Sequence, residues 1–379
     1  MKKGLCFLLC ILSCLFSSCI SVSIKEKSIE DLNISILSVN SKNKADKIIP
    51  GKYYEIKATV TESGNKKIIK HPNYSELVFD SSDFQIIQQD RWNLIVKAKY
   101  PTINHLYEKN YHIAVYVSEN SFGGKIEKCP INWQSFNYLD YSGNNGKDGE
   151  DGRTGNSPSV MRNSSSANGE NGASGFSGKN GKTKNLEVAY LYSKADNLFS
   201  DDSNKMLLIY DSETNETILM SAYQRIVLDF KGGNGGDGGK GGDGADGNSF
   251  YRHNHFRSLD GGDGGNGGNG GNGGNGGILK LTIAAGQNLQ NIFDIRLQGG
   301  RGGNGGRAGD GGDAGVRVYE DKDGRKFEKR GCDGRRGLDG IAGSDGNYGN
   351  IMFVELSLEK MFSASQTVKN LHELRKTED

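Results

Sequence analysis

Proline, tryptophan, cysteine and net charge are all scarce in this sequence. It contains 5 prolines, 2 tryptophans and 6 cysteines among 379 residues, and 47 basic side chains stand against 46 acidic ones. This balance argues against recruitment to nucleic acid, which requires a basic surface. The apolar-rich stretch Leu5–Phe16 has 12 residues, fewer than the about 20 that a membrane-spanning helix needs. We therefore expect neither a nucleic-acid partner nor a multi-span membrane protein.

The N-terminal residues have the form of an export signal. Two lysines precede the apolar stretch, and two serines and Cys19 follow it. This segment resembles a bacterial lipoprotein box, of the looser kind found in spirochaetes, because Phe16 replaces the usual aliphatic residue. The resemblance implies that residues 1–18 are removed and that acyl chains on Cys19 enter a lipid bilayer. It also implies an outer-membrane or cell-surface location, with the periplasmic face as an alternative; ordinary cleavage would instead release a soluble protein.

Residues 19–141 alternate short apolar runs with turn signals, a pattern typical of all-β domains. The predicted strands are Ile34–Val39, Tyr53–Val60, Glu76–Phe79, Phe84–Ile87, Asn93–Lys99 and His112–Val117. About seven short strands in about 110 residues indicate an immunoglobulin-like sandwich, which we expect to act as a stalk. His71, His105 and His112 are interpreted as loop or sheet-surface residues and not as metal ligands.

Glycine is concentrated in one region, where it recurs every third residue. Of 56 glycines, 51 lie between Gly143 and Gly349. Six runs, numbered 1 to 6 in chain order, are Gly143–Gly155, Gly169–Gly181, Gly232–Gly247, Gly261–Gly277, Gly299–Gly315 and Gly331–Gly349. Runs 1, 2 and 6 carry one glycine per triplet, whereas runs 3, 4 and 5 carry two. Such internal periodicity is typical of repeat architectures.

Four structures compete to explain this repeat. A collagen helix is disfavoured because no run contains proline. A calcium-binding β-roll is disfavoured because its repeat requires an apolar residue at the position that Gly239 occupies here. A flexible linker requires neither phase nor matched lengths. In a polyglycine II helix, with three residues per turn, the glycines share one edge and let neighbouring rods form backbone hydrogen bonds. We predict a bundle of such helices, with runs 3, 4 and 5 central and runs 1, 2 and 6 peripheral.

The connectors between runs alternate in kind. Strand-like segments follow runs 2, 4 and 6, including a hairpin-like pair at Ile278–Ile283 and Ile292–Leu297. Polar loops follow runs 1, 3 and 5, at Ser157–Asn168, Asn248–Asp260 and Val316–Arg330. Antiparallel rods of equal length would place the two kinds of connector at opposite ends.

This organisation predicts an all-β protein with four parts. They are a signal peptide (1–18), a β-sandwich stalk (19–141), a polyglycine II bundle with basal strands (142–358) and a C-terminal tail (359–379). The bundle is expected to carry a β-sheet at one end and loops at the other. This layout separates Cys129 from Cys332, so we expect two free thiols and no disulfide.

The triplet phase and the alternating connectors resemble two groups of proteins built from polyglycine II bundles. These are the springtail glycine-rich antifreeze proteins and the phage tail-tip adhesins. Ice binding requires a flat face of small, weakly polar side chains, whereas the non-glycine positions here are rich in Asp, Asn and Lys. The adhesin resemblance fits better, and it implies that the loops at one end of the bundle contact a receptor.

Two of the three loops carry aromatic and arginine side chains, the usual anchors of binding surfaces. The candidate ligand-binding residues are Phe250, Tyr251, Arg252, His253, His255, Phe256, Arg257, Tyr319 and Phe327, with Lys326 and Arg330 beside the last two. Alternatively, these side chains pack together and cap the bundle. His253 and His255 have no third partner in the pattern, so no metal is predicted.

The sequence contains no catalytic motif, and we expect neither an enzyme nor a cofactor. The leading prediction is a membrane-anchored surface lipoprotein whose loops bind a protein or a glycan, as an adhesin does. The alternative is a structural envelope lipoprotein without a specific ligand.

Overall fold

The structure is a computed structural model. It describes residues 23–24, 27–39, 43–64, 66–106, 110–117, 124–156, 166–192, 205–222, 224–251, 259–363, 365 and 368. This part of the chain contains nineteen strands and four short 3-10 helices, so the predicted all-β class is confirmed. The predicted signal peptide and Cys19 lie outside the described residues.

The strands are numbered in chain order. They are β1 (Ile29–Ser38), β2 (Tyr53–Glu62), β3 (Ile68–Ile69), β4 (Leu77–Asp80), β5 (Phe84–Gln89), β6 (Leu94–Ala98), β7 (Asn110–Val117), β8 (Lys125–Pro130), β9 (Tyr138–Asp140), β10 (Thr183–Tyr192), β11 (Lys205–Asp211), β12 (Glu216–Ser221), β13 (Ile226–Asp229), β14 (Phe250–Tyr251), β15 (Ile278–Ala284), β16 (Phe293–Arg296), β17 (Val316–Glu320), β18 (Lys326–Arg330) and β19 (Asn350–Leu356). The 3-10 helices are Tyr74–Glu76, Ile103–Leu106, Leu289–Ile292 and Leu358–Lys360.

The chain divides into two compact units. The first comprises Met1–Asn137, Tyr190–Tyr210 and Glu216–Gln224, and the second comprises Tyr138–Ala189, Asp211–Asn215 and Arg225–Asp379. In the first unit, one antiparallel sheet has the order β1-β2-β6-β5 with β3 beside β2, and another has the order β4-β7-β8. Alternate residues of β2 and β7 are buried, because successive side chains of a strand point to opposite faces. Buried residues of both sheets, among them Ile56 and Ile113, form one hydrophobic cluster.

His105 is buried in the first unit and does not occupy the surface position expected from the sequence. Its Nε2 lies 3.2 Å from Oδ1 of the buried Asp83. The same carboxylate accepts a hydrogen bond from the backbone N–H of His112 at 2.7 Å and another from Ser82 Oγ at 2.9 Å. The His105 side chain therefore serves as one of the polar partners of a buried carboxylate.

In the second unit, backbone hydrogen bonds join the glycine runs into two layers. Runs 1, 3 and 5 are parallel neighbours, as when Gly146 N–H donates to Asn234 O at 2.7 Å. Runs 2, 4 and 6 form the other layer in the same way, as when Gly270 N–H donates to Ile341 O at 2.8 Å. Each of these bonds recurs every three residues, so the glycine period is also the hydrogen-bond period.

The two layers are antiparallel to each other. Consecutive runs bond across the layers, for example through Gly268 N–H to Gly239 O at 2.8 Å between runs 4 and 3. Runs 3 and 4 bond to four neighbouring runs, runs 2 and 5 to three, and runs 1 and 6 to two. Run 2 therefore has as many neighbours as run 5, although it carries only one glycine per triplet. The expectation that run 5 is central and run 2 peripheral is wrong for this pair. The reason is that non-glycine residues of run 2, such as Ala173, also donate across the layers, here to Glu150 O at 2.8 Å.

The glycine columns are required where one run approaches the backbone of another. A Cβ built on Gly238 would lie 2.0 Å from Gly268 O, and one on Gly239 would lie 2.0 Å from Glu150 O. Both atoms are backbone carbonyl oxygens, which cannot move away without breaking the hydrogen bonds beside them. Run 3 needs two glycine columns because it faces run 4 on one side and run 1 on the other.

Asparagine and aspartate side chains satisfy further backbone N–H groups within each layer. Asp237 Oδ1 accepts from Asn304 N–H at 2.7 Å, and Asn269 Oδ1 accepts from Ile341 N–H at 2.9 Å. The equivalent bond from Asp310 N–H is the main cause that holds the pKa of the Asp243 carboxyl below its usual value. These Asn and Asp residues therefore act as lateral hydrogen-bond acceptors, a role that the sequence pattern did not predict.

The layers continue into parallel β-sheets. Strands β9, β13 and β16 precede runs 1, 3 and 5 and pair in parallel, and β10, β15 and β19 follow runs 2, 4 and 6 and also pair in parallel. The strands at this end thus form two sheets and not the one expected. The predicted hairpin-like pair is also wrong, because β15 and β16 belong to different sheets. Each strand pairs with its equivalents in the same layer, since the backbone register of the runs carries over into it.

Candidate binding surface at the loop end of the glycine runs

The ends of the three loops after runs 1, 3 and 5 are tied together by hydrogen bonds. Ser166 Oγ donates to Asp260 O at 2.6 Å. Gly315 N–H donates to Leu259 O at 2.7 Å, and Gly331 N–H donates to Gly315 O at 3.0 Å. The ends of all three connectors and the start of the third consequently lie side by side.

The described residues include part of the predicted binding set. Phe250 and Tyr251 form β14, whose backbone pairs in parallel with Arg317 and Val318 of β17. Tyr319 and Phe327 lie on β17 and β18. The remaining candidates, Arg252, His253, His255, Phe256 and Arg257, lie outside the described residues.

The segment predicted as the loop Val316–Arg330 is a β-hairpin. Its strands β17 and β18 are antiparallel, and Tyr319 pairs directly with Phe327. Asp321 Oδ1 accepts from the N–H groups of Asp323 and Arg325, at 3.0 and 2.8 Å, and stabilises the turn. Gly324 has a φ of +76°, a conformation that glycine adopts without strain. The loop prediction failed because β18 is exposed along its whole length and shows no hydrophobic alternation.

Tyr319 and Phe327 form an exposed aromatic pair. Their ring centroids are 5.5 Å apart with an interplanar angle of 18°, within the range of stacked aromatic contacts. The two residues remain 37% and 42% exposed. The pair is therefore fixed by cross-strand stacking while much of its surface stays open to solvent, as a preorganised contact surface requires.

Because successive side chains of a strand point to opposite faces, the charged side chains of the hairpin lie on two faces. Arg317 and Lys329 are a directly opposed pair and share the face of Tyr319 and Phe327. Lys326 and Arg330, predicted to lie beside the aromatic pair, occupy the other face. The prediction erred because it treated the segment as an irregular loop, whereas a period of two residues would have selected Arg317 and Lys329.

Arg317 carries a donor without an acceptor. Its Nε is buried and makes no hydrogen bond within the described part of the chain. Arg330, on the opposite face, pairs with Asp333 at 3.3 Å. The Arg317 Nε is thus enclosed by the protein, whereas Lys329 on the same face is exposed.

The described residues contain no group of three or more His, Cys, Asp or Glu side chains that could hold a metal ion. They also include no helix of sufficient length and hydrophobicity to cross a membrane. Cys129 is buried and Cys332 exposed, and both are free thiols. Burial is the main cause that raises the pKa of the Cys129 thiol to about 11, which makes it a poor nucleophile at neutral pH. No protein-family model, curated protein or solved structure matches this chain.

Proposed function

We propose that this protein is a lipid-anchored surface protein that binds a host protein or glycan through the loops at one end of its glycine runs. In this proposal, acylated Cys19 anchors the chain at the outer membrane or cell surface. The N-terminal sandwich, of immunoglobulin-like type, is the stalk, and the six runs are polyglycine II helices. The observation that carries the proposal is the exposed, stacked Tyr319–Phe327 pair beside loop ends that are tied together.

The hydrogen-bond pattern supports the polyglycine II assignment. Every third residue of a run bonds to the same neighbouring run, as rods with three residues per turn require. Isolated glycine runs would be disordered, because ordering a residue costs about 1–2 kcal/mol of backbone entropy. Lateral hydrogen bonds, each contributing about 0.5–1.5 kcal/mol, can offset this cost only when several runs bond together. The resulting rigid bundle is suited to holding loops in fixed positions.

The start of the described chain supports a short connection to the anchor. Ile24 is fully buried, and its N–H donates to Glu76 Oε2 at 2.7 Å. Ser23 Oγ donates to the same carboxylate oxygen at 3.1 Å. Only three residues separate Ser23 from Cys19, so the two Cα atoms lie at most about 14 Å apart. An acylated Cys19 would thus hold the first unit close to the bilayer.

The test compares binding of the full chain with that of a variant in which the segment between Asn248 and Asp260 is replaced by a neutral linker of equal length. A Tyr319→Ala/Phe327→Ala double variant is tested beside it. We expect both variants to lose most of their binding to host cells or extracellular matrix, because both lack aromatic anchors. Val39→Ala is the control, since Val39 is an exposed apolar residue of the first unit. Unchanged binding by both loop variants would favour the structural envelope protein.

A further inference from the structure

The two faces of the β17–β18 hairpin differ in net charge. The aromatic face carries Arg317 and Lys329 and no carboxylate among its paired positions. The opposite face carries two cations and two anions, at Lys326, Arg330, Glu320 and Glu328, and is balanced. The whole chain has a net charge of only +1. The positive charge on the aromatic face is therefore a local feature that selects for an anionic ligand.

The kinds of functional group on this face suit an acidic sugar chain. The C–H faces of sugar rings pack against the electron-rich faces of aromatic rings, here Tyr319 and Phe327. Guanidinium and ammonium groups form charge-assisted hydrogen bonds with carboxylate or sulfate groups, and this face carries one of each, on Arg317 and Lys329. Resting on the proposed function, we propose that the aromatic face of this hairpin binds an acidic polysaccharide.

The test uses heparin as the acidic probe and dextran as the neutral one, with the full chain immobilised. The matched variants are Arg317→Gln/Lys329→Gln and Lys326→Gln/Arg330→Gln, which remove the same charge from opposite faces. We expect the first to weaken heparin binding about tenfold or more, the equivalent of two charge-assisted contacts. The second should change it less than about threefold, because its charges act only at long range.

Equal loss in the two double variants, or equal binding of heparin and dextran, would overturn the acidic-ligand proposal. Neither result would contradict the proposed function, because that function is tested separately by the binding of the loop variants to host cells and matrix. Conversely, heparin binding that depends on Arg317 and Lys329 would support this site even if host cells were not bound.

A second inference concerns the Asn-Gly pairs of the runs. In such a pair the glycine nitrogen can attack the asparagine side-chain carbonyl, expel ammonia and form a cyclic imide. Water then opens the ring to aspartate or isoaspartate. The chain has ten such pairs, with asparagine at 145, 168, 171, 180, 234, 266, 269, 272, 275 and 304. In nine of them the glycine N–H donates to a neighbouring run and the asparagine Oδ1 accepts from one.

Asn304 is the exception. Its Nδ2 donates to Asp237 at 3.2 Å, but no hydrogen bond of its Oδ1 or of Gly305 N–H is found among the described residues. The cause lies in run 6, which supplies a carboxylate on either side of this position. Asp345 Oδ1 accepts from Gly302 N–H, three residues before Gly305, and Asp339 Oδ1 accepts from Ala308 N–H, three residues after it. The same register places Ala342, which has no acceptor, opposite Gly305.

We infer that Asn304 is the preferred site of spontaneous deamidation among the ten Asn-Gly pairs of the folded protein. The Gly305 nitrogen remains free to form the N–Cγ bond as its proton passes to water and ammonia leaves. The nine other pairs should react more slowly, because two hydrogen bonds must break before the ring can close. One is donated by the glycine nitrogen, and the other is accepted by the asparagine Oδ1. An isoaspartate at this position lengthens the backbone of run 5 and shifts its phase.

Peptide mass spectrometry of the aged native protein measures deamidation at all ten sites at once. We expect Asn304 to react about tenfold faster than any other pair, since one backbone hydrogen bond of about 1.4 kcal/mol corresponds to that factor. Ala342→Asp should supply an acceptor to Gly305 N–H and remove most of this difference. Ser344→Asp is the control, because it adds the same charge two residues away. Equal rates at the ten sites, or no protection by Ala342→Asp, would overturn the inference.

Discussion

Replacing Gly238 with valine is expected to destroy the cooperative folding of the glycine runs. The new Cβ would lie 2.0 Å from Gly268 O and 2.5 Å from its carbonyl carbon. Runs 3 and 4, which meet here, each bond to four neighbours, so neither can move without breaking bonds on its other sides. We expect a loss of about 4 kcal/mol or more, above the usual range for overpacked cores. Amide hydrogen exchange of peptides from runs 3 and 4 measures the effect.

Lys240→Ala is the matched control for this substitution. Lys240 lies two residues further along the same run, and its exposed Nζ is 3.3 Å from Asp243 Oδ1. Removing so exposed an ion pair should cost less than about 1 kcal/mol. Gly238→Ala should lie between the two variants. If the exchange rates of Gly238→Val and Lys240→Ala were alike, close backbone approach would not be what the glycine column provides.

The native alanines within the runs indicate where a Cβ is tolerated. Ala245 belongs to the column of run 3 that faces run 1, near the end of that run. Ala308 and Ala314 belong to the column of run 5 that faces run 6. Runs 1 and 6 bond to only two neighbours each and can shift outward. In all three cases alanine therefore replaces glycine only against a peripheral run, which is why the test substitution is placed between runs 3 and 4.

The strands of the first unit could be predicted from the sequence because their side chains alternate between core and solvent. The predicted segment Tyr53–Val60 corresponds to β2, and His112–Val117 to β7. Strand β8 was missed because its hydrophobic pattern is mixed, with Ile126 59% exposed and Cys129 buried. The alternation rule succeeds only where a strand buries one consistent face.

The structure of the glycine region could be predicted only in part, because it is held together by backbone hydrogen bonds. The pattern of side chains gives little sign of such bonds. The triplet phase indicated lateral bonding between runs, and the hydrogen bonds between runs recur with that phase. The role of Asn and Asp as acceptors was not evident, because hydrated surface residues have the same composition. The β17–β18 hairpin was missed for a related reason: its pairing extends the register of the runs, and its outer strand carries no apolar signal.

The buried carboxylate of Asp83 is expected to make the first unit sensitive to acid. Burial is the largest influence and favours the neutral form, but hydrogen bonds from His105, the His112 N–H and Ser82 together outweigh it and lower the pKa of Asp83 below its usual value. A carboxyl whose pKa is lower in the folded than in the unfolded state stabilises the fold above its unfolded pKa. That contribution is lost as the pH falls through the folded pKa. Acid should therefore remove stability below about pH 4.

Asp83→Asn tests this expectation. The amide keeps the shape of the carboxyl but cannot accept charge-assisted hydrogen bonds on both sides, so we expect a loss of about 2–3 kcal/mol at pH 7. The variant should also lose the part of the acid sensitivity that Asp83 causes. Chemical unfolding at pH 7 and at pH 3, followed through the Trp92 and Trp133 fluorescence of the first unit, measures both effects. Asp80→Asn is the control, because Asp80 is exposed on β4, three residues from Asp83. If both variants retained the same pH dependence as the unmodified protein, Asp83 would not be the source of its acid sensitivity.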